Sequence, residues 1–161
     1  MSQTVETVMA LKQHADVLIT VDAGATVIDA VGSLAEHHIG AVLIRNEDGL
    51  VDGIFTERDL LLRVVHAGLD PKTTPISMVM TRDVRFVSPG TTVEAAMALM
   101  QLNRFRHLLV MDGPRVLGLV SMGDMTNYLI RHGEGRFEAA VRRNLAQSGA
   151  AGADQAGGGS S

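Results

Sequence analysis

Residues 53–59, with the sequence GIFTERD, are matched 65 positions further along the chain by residues 118–124, with the sequence GLVSMGD. Each stretch passes from a glycine through an apolar run to a hydroxyl residue, Thr56 or Ser121, and has an aspartate three positions later. Identical residues and matching apolar positions extend this correspondence back to residue 21, at an offset of 65 or 66. The chain therefore contains two copies of one unit.

Each copy predicts the element order strand, helix, strand, strand, helix. The first helix begins after a threonine, Thr26 or Thr92, and its apolar residues then follow the i, i+3, i+4, i+7 spacing of one buried face. Turns rich in Gly, Asn, Asp or Pro separate the strands. The predicted strands are residues 17–21, 41–45 and 51–55, then 84–87, 107–111 and 116–120, and the second helices run from Thr56 to about residue 67 and from Ser121 to about residue 132.

The two copies are expected to form one α+β domain. A unit of about 50 residues buries too little apolar surface to be stable alone, so we expect the two sheets to pack together with pseudo-twofold symmetry. A tail of Gly, Ala and Ser is expected to be disordered. The predicted divisions are an N-terminal helical segment at 1–15, repeat 1 at 16–67, a linker at 68–80, repeat 2 at 81–132, a C-terminal helix at 133–147 and the tail at 148–161.

The composition excludes several classes of function. Of the 161 residues, 46% are hydrophobic and 20% are charged, and the net charge of −4 argues against a general binder of nucleic acid or anionic membranes. Cysteine is absent, which removes disulfides and thiol chemistry. The first residues lack the pattern of a secretory signal, so the cytoplasm is the expected location. Aromatic residues make up only 3%, so the core must be aliphatic and a planar ligand has few rings to stack on.

The doubled hydroxyl-x-x-Asp pattern has two interpretations. It is close to a capping box, in which the two side chains satisfy free backbone N–H groups at a helix start. Alternatively, the carboxylates of Asp59 and Asp124 could accept hydrogen bonds from a ribose diol, while Thr56, Ser121 and the nearby amides suit a phosphate. The residues alone leave both interpretations open.

Four stretches together resemble a known family: residues 53–59, 79–84 (VMTRDV), 106–110 (RHLLV) and 118–124. They are similar to the tandem cystathionine beta-synthase (CBS) domain pair, also called a Bateman module, and above all to its small stand-alone bacterial members. The resemblance covers about residues 8–132. It implies two β-α-β-β-α repeats packed as one module.

The resemblance also implies a ligand, because family members often bind AMP, ADP or ATP, and some bind S-adenosylmethionine or NAD, in clefts between the repeats. The aspartates would hold ribose hydroxyls, the hydroxyl residues would contact the ribose or phosphate, and backbone before the central strands would meet the adenine edge. Occupancy would be signalled to a regulated partner protein. The nucleotide-binding residues implied in this way are Thr56, Arg58, Asp59, Ser121, Asp124, Gly40, Ala41, Arg106 and His107, with Arg58, Arg106 and His107 as the cations for phosphate.

The two clefts are expected to be unequal. Repeat 1 has Gly40-Ala41 where repeat 2 has Arg106-His107, so the first cleft is expected to be open to backbone approach and the second to be crowded but cationic. Adjacent residues such as His37 and His38 point apart on a helix, and we expect no metal site and no required cofactor.

Three further expectations concern activity and assembly. No nucleophile, base or metal set is evident, so the chain is expected not to be an enzyme. Residues 59–65 are apolar almost all round, which favours a homodimer over a helix buried within one chain. A ligand-free protein of interaction or stress response, with the dimer as its docking surface, remains the alternative function.

Overall fold

The structure is a computed structural model that describes residues 3–12, 18–133 and Ala139. Its elements follow the predicted order in both repeats, and the α+β class is confirmed. The predicted C-terminal helix at 133–147 and the tail at 148–161 lie outside the described residues, apart from Gly133 and Ala139. Within the described ranges, no helix has both the length and the apolar character to cross a membrane.

Repeat 1 forms a three-stranded sheet in the order β1-β2-β3, with β1 parallel and β3 antiparallel to the central strand. A helix preceded by the N-cap Thr26 follows the first strand, and a second helix follows the third. The elements are β1 Thr20–Asp22, α2 Val27–His37, β2 Ala41–Arg45, β3 Val51–Thr56 and α3 Glu57–Asp59, which continues as a π-helix over Leu60–Val65.

Repeat 2 has the same topology, with the sheet order β4-β5-β6. A short helix, α1, precedes repeat 1, and a 3₁₀ turn at Ile76–Met78 lies in the linker. The remaining elements are α1 Val5–Ala10, β4 Phe86–Val87, α4 Val93–Asn103, β5 His107–Asp112, β6 Arg115–Ser121 and α5 Met122–His132.

The second helix of repeat 1 differs from the prediction of one regular helix to about residue 67. After Asp59 the helix widens, and the i→i+5 hydrogen bond from His66 N–H to the Leu61 carbonyl measures 2.9 Å. Val64 is fully buried in this segment. Arg63 donates from its guanidinium to the Met80 carbonyl at 2.9 Å, so the widened turn fastens the helix to the linker.

The two sheets share a core. One apolar cluster belongs to each repeat, and a third is built from both, with Leu43 and Ile54 from repeat 1 and Leu109 from repeat 2. The buried hydrophobic residues are aliphatic apart from Phe55 and Tyr128. Face-to-face packing of the sheets brings the starts of β2 and β5 close together, which determines the composition of the site described below.

The segment that precedes each repeat packs on the other repeat. Val5 and Val8 of α1 belong to the core cluster of repeat 2, and Met9 lies against Gly118. In the linker, Ile76 and Val79 belong to the core cluster of repeat 1. The segment that leads into repeat 1 therefore covers β6 of repeat 2 at Gly118, and the segment that leads into repeat 2 covers β3 of repeat 1 at Gly53.

Candidate functional site

Thr56 and Ser121 are N-caps, each in a complete capping box. The Asp59 N–H donates to Thr56 Oγ1 at 3.2 Å, and the Thr56 N–H donates to Asp59 Oδ2 at 3.0 Å. In repeat 2 the corresponding distances are 3.0 Å to Ser121 Oγ and 2.8 Å to Asp124 Oδ2. The capping interpretation is therefore confirmed in both copies. Capping uses only one carboxylate oxygen, so the other oxygen decides whether a ligand can bind.

In repeat 1, other side chains of the protein contact the second carboxylate oxygen, Asp59 Oδ1. Asp59 Oδ1 accepts a hydrogen bond from Thr81 Oγ1 at 3.1 Å, and Arg63 Nε lies 3.5 Å from the same atom. The Asp59 side chain is only 10% exposed. Thr81, directly after the linker, and Arg63 of the π-helix thus close the position at which a ribose diol would meet this carboxylate.

In repeat 2 the carboxylate is more open and has a different partner. Asp124 Oδ2 lies 2.9 Å from Lys12 Nζ, which also donates to the Leu119 carbonyl at 2.7 Å. Among the described residues, no side chain or backbone group donates to Asp124 Oδ1, and the side chain is 27% exposed. Asp124 can therefore accept further hydrogen bonds, whereas Asp59 is saturated.

Asp124 opens into a cavity of about 910 Å³ between the repeats, a volume within the range of small-molecule sites. Repeat 1 contributes Gly40 and Ala41, and repeat 2 contributes His107, Ser121 and Asp124. The described lining residues are mainly aliphatic or ionisable. The aliphatic ones include Met9, Leu18, Ile19, Ile39 and Leu117, and the ionisable ones are Lys12, His37, His38, His107, Asp124, Tyr128, Arg131 and His132.

The predicted site residues divide into two groups. Gly40, Ala41, His107, Ser121 and Asp124 line this cavity. The other four do not. Two of them are held by capping contacts and by contacts from residues near the linker, and the other two have exposed side chains. That second group is Thr56 and Asp59, which are half-buried and buried, and Arg58 and Arg106, which are exposed.

The structure also differs from the expected division into one open and one crowded cleft. Gly40-Ala41 and His107 were predicted to belong to different clefts, yet they line the same cavity. A Cβ atom built on Gly40 would lie 3.7 Å from His107 Nε2. The reason is the packing of the two sheets, which places the start of β2 opposite the start of β5.

The surroundings of His107 favour its neutral imidazole form. Burial lowers the pKa of His107 below its usual value of 6.5; the Asp124 carboxylate opposes this shift, whereas Lys12 and Arg106 reinforce it. This shift disfavours the imidazolium form that the predicted role of His107 as a cation for phosphate would require. Among the described lining residues, Lys12 and Arg131 are the lysine and the arginine.

Lys12 lies at the candidate site and was not predicted from the sequence. Its place becomes visible only from the packing, in which Met9 and Met80 cover the equivalent glycines Gly118 and Gly53. Twelve positions separate Met9 from Val21, whereas seven separate Met80 from Val87. Lys12 falls in this added length.

The CBS domain family profile matches residues 14–66 and 76–131, which is more than half of the chain. The chain belongs to the CBS-domain family. It is a CBS-pair module, a regulatory type of domain, and its two matched segments coincide with the two repeats described above.

Comparison with individual CBS-domain proteins agrees. The mitochondrial CBS domain-containing protein CBSX3 of Arabidopsis thaliana is 37% identical over 109 residues, covering 65% of this chain and 53% of that protein. The chain spans about half of that relative and about a fifth of CBSCBSPB2 from the same plant. A solved protein with CBS domains from Burkholderia ambifaria is 35% identical, with a TM-score of 0.77 over 82% of this chain and 97% of that one.

A more distant structure shares the fold alone. The CBS domain protein PAE2072 from Pyrobaculum aerophilum, solved in complex with AMP, is 22% identical to this chain. Its TM-score is 0.65 over 75% of this chain and 88% of that one.

Proposed function

We propose that this CBS pair is a non-catalytic regulatory module that binds one adenine nucleotide per chain in the cavity at Asp124 and signals occupancy to a partner protein. The observation that carries the proposal is a partly exposed carboxylate at the start of α5 that opens into a cavity of about 910 Å³. The corresponding carboxylate of repeat 1 is saturated by the chain's own groups. We therefore expect one ligand site, not two.

The lining of the cavity suits the parts of a ribonucleotide. Asp124 would accept hydrogen bonds from the ribose hydroxyls, next to the Ser121 hydroxyl. Lys12 and Arg131 provide positive charge for the phosphates. The adenine would lie between aliphatic side chains and the backbone near Gly40, with no aromatic stack required. The AMP complex of the Pyrobaculum protein supports the proposal to the extent that this fold can hold such a ligand.

Titration with nucleotides tests the proposal. Isothermal titration of AMP, ADP, ATP, NAD and S-adenosylmethionine into protein freed of copurified ligand is expected to show binding of an adenine nucleotide at one site per chain. At a ligand concentration of 100 Kd the stabilisation by mass action is about 2.7 kcal/mol, which raises Tm by about 5–10 °C for a domain of this size. No binding of any of the five would overturn the proposal and favour the ligand-free interaction protein.

The π-helix also supports a homodimer. Residues 59–65 are apolar almost all round, as either a dimer contact or a helix buried within one chain would require. Val64 is buried, whereas Leu61 and Val65 are 60% and 63% exposed, and Leu62 is exposed as well. The described part of the chain therefore leaves this face exposed, and we propose that a second copy covers it.

Leu61→Glu is expected to convert the dimer to a monomer, because the carboxylate would be buried without a partner at the contact. Leu102→Glu is the matched control, since Leu102 is a helical leucine that is 83% exposed and lies on α4 of the other repeat. Sedimentation velocity gives the mass of both variants. A wild-type monomer at micromolar concentration, or dissociation by both substitutions, would contradict the proposed contact.

A further inference from the structure

The helix α1 and the residues directly after it form one wall of the cavity. The other walls belong to the two repeats, in which sheet hydrogen bonds and the shared core hold the strands. Because α1 precedes repeat 1, a ligand in the cavity would contact a segment that is separate from both sheets. The lining residues from this segment are Val8, Met9, Leu11 and Lys12.

The start of α1 is fixed to repeat 2 by backbone hydrogen bonds. The Val5 N–H donates to the Thr91 carbonyl at 2.8 Å, and the Val93 N–H donates to the Gln3 carbonyl at 2.9 Å. The Val5 side chain is fully buried. None of these four residues is among the described residues that line the cavity. They therefore hold the start of α1 whether or not a ligand is present.

The end of α1 is fixed by one side chain at the cavity wall. Lys12 Nζ donates to the Leu119 carbonyl at 2.7 Å and lies 2.9 Å from Asp124 Oδ2. The side chains of this ion pair are 32% and 27% exposed, so water competes for the contact. Leu11, next to Lys12, is 54% exposed. We therefore expect the end of α1 to open locally more often than its start or the sheets.

A ligand can strengthen this end of α1 without displacing Lys12. Lys12 lies on Oδ2 of Asp124, the oxygen that also accepts the capping hydrogen bond, and Oδ1 remains available to a hydroxyl donor. An occupant of the cavity would in addition lie against the side chains of Val8, Met9 and Leu11. Contacts that exist only while α1 is docked favour the docked state by mass action.

We propose that a nucleotide in the cavity fastens the end of α1 onto repeat 2, so that the N-terminal segment is the part of this chain that reports occupancy. This inference rests on the proposed function, since it states how the same site is read. The linker covers repeat 1 in the equivalent way, but its residues 76–80 are not among the described residues that line the cavity. Of the two leading segments, α1 is therefore the one that responds.

Hydrogen–deuterium exchange measured by mass spectrometry tests the proposal on the wild type, without ligand and with AMP at about 100 Kd. Exchange of the backbone amides of residues 8–12 is expected to slow by about tenfold or more, toward the limit of about 100-fold that mass action sets. The turn at residues 46–50 is the internal control. Its surface hydrogen bond from the Asn46 N–H to the Leu50 carbonyl measures 2.9 Å, and it does not line the cavity. Its exchange rate should not change.

Lys12→Met examines the fastening without any nucleotide. The substitution keeps the apolar stem and removes the ammonium contacts with Leu119 and Asp124. Exchange of residues 8–12 in the ligand-free variant should therefore be about fivefold faster than in the wild type. Lys72→Met is the matched control and should exchange like the wild type, because Lys72 is an exposed lysine outside the cavity. Thermal unfolding establishes that each variant is folded.

The outcomes separate this inference from the proposed function. If AMP binds and residues 8–12 slow no more than residues 46–50, α1 does not report occupancy, although the proposed function stands. If Lys12→Met leaves the exchange of the ligand-free protein unchanged, Lys12 does not fasten α1 and the inference is again overturned. If no nucleotide binds to the wild type, both proposals fail.

Discussion

Asp124→Asn is expected to weaken nucleotide binding about tenfold or more, whereas Asp59→Asn is expected to leave Kd unchanged. Hydrogen bonds to a charged group contribute about 1.5–3 kcal/mol, which corresponds to roughly 10- to 100-fold in Kd. Asparagine has the shape of aspartate and can still accept the Ser121 N–H, so the substitution preserves the cap while removing the charge that ribose hydroxyls would meet. Isothermal titration of AMP or ATP measures the difference.

The effects on stability are expected in the opposite order. Asp59 accepts hydrogen bonds from Thr56 and Thr81 and faces Arg63, with a side chain that is 10% exposed. Asp59→Asn places an amide where one of these donors needs an acceptor, and we expect the free energy of unfolding to fall by about 1–3 kcal/mol. Asp124→Asn should cost less, because Asp124 is more exposed and its ion pair with Lys12 is partly solvated. Equal losses of affinity in the two variants, or two nucleotides bound per chain, would contradict the single-site proposal.

Gly53→Ala is expected to destabilise the fold strongly, whereas Gly118→Ala is expected to be tolerated. A Cβ atom at residue 53 would lie 2.8 Å from the Thr81 carbonyl oxygen and 2.8 Å from Met80 Sδ. Thr81 cannot retreat without losing its paired hydrogen bonds with Ile54, at 2.8 and 2.9 Å. Overpacking together with a weakened hydrogen bond predicts a loss of about 2–4 kcal/mol.

The corresponding glycine in repeat 2, Gly118, lies against the flexible side chain of Met9. A Cβ atom at Gly118 would lie 2.7 Å from Met9 Cε, the end of a flexible side chain that can change rotamer. We expect Gly118→Ala to change the free energy of unfolding by less than about 1 kcal/mol. Urea unfolding followed by circular dichroism compares the two variants directly. Losses of similar size would show that the linker does not hold β3 as tightly as its hydrogen bonds indicate.

Local sequence patterns were sufficient to predict most elements of the fold. The strand at Ala41–Arg45 has the predicted bounds, and the apolar spacing after Thr26 correctly identified Val27 and Ala30 as buried. These features depend on neighbours within a few residues, so a single sequence contains them. The start of repeat 2 was less predictable, because the strand at Phe86–Val87 is short and is defined by pairing with β5.

The site was only partly predictable, because its asymmetry depends on distant contacts. The repeated Asp pattern identified both Asp59 and Asp124, but the groups that close the first and accompany the second are Thr81 and Lys12, which are 22 and 112 positions away. No local spacing reveals such partners. The meeting of Gly40 and His107 in one cavity likewise requires knowledge of how the sheets pack.

The crossed arrangement of α1 and the linker makes the two repeats depend on each other for their cores. Each repeat has a methionine-bearing segment over its glycine strand, and in both cases that segment is the one that leads into the other repeat. A single repeat produced by itself, with only its own leading segment, would leave its glycine strand uncovered unless a second copy exchanged leading segments with it. Within this chain the exchange is intramolecular, so the completeness of each core does not depend on protein concentration.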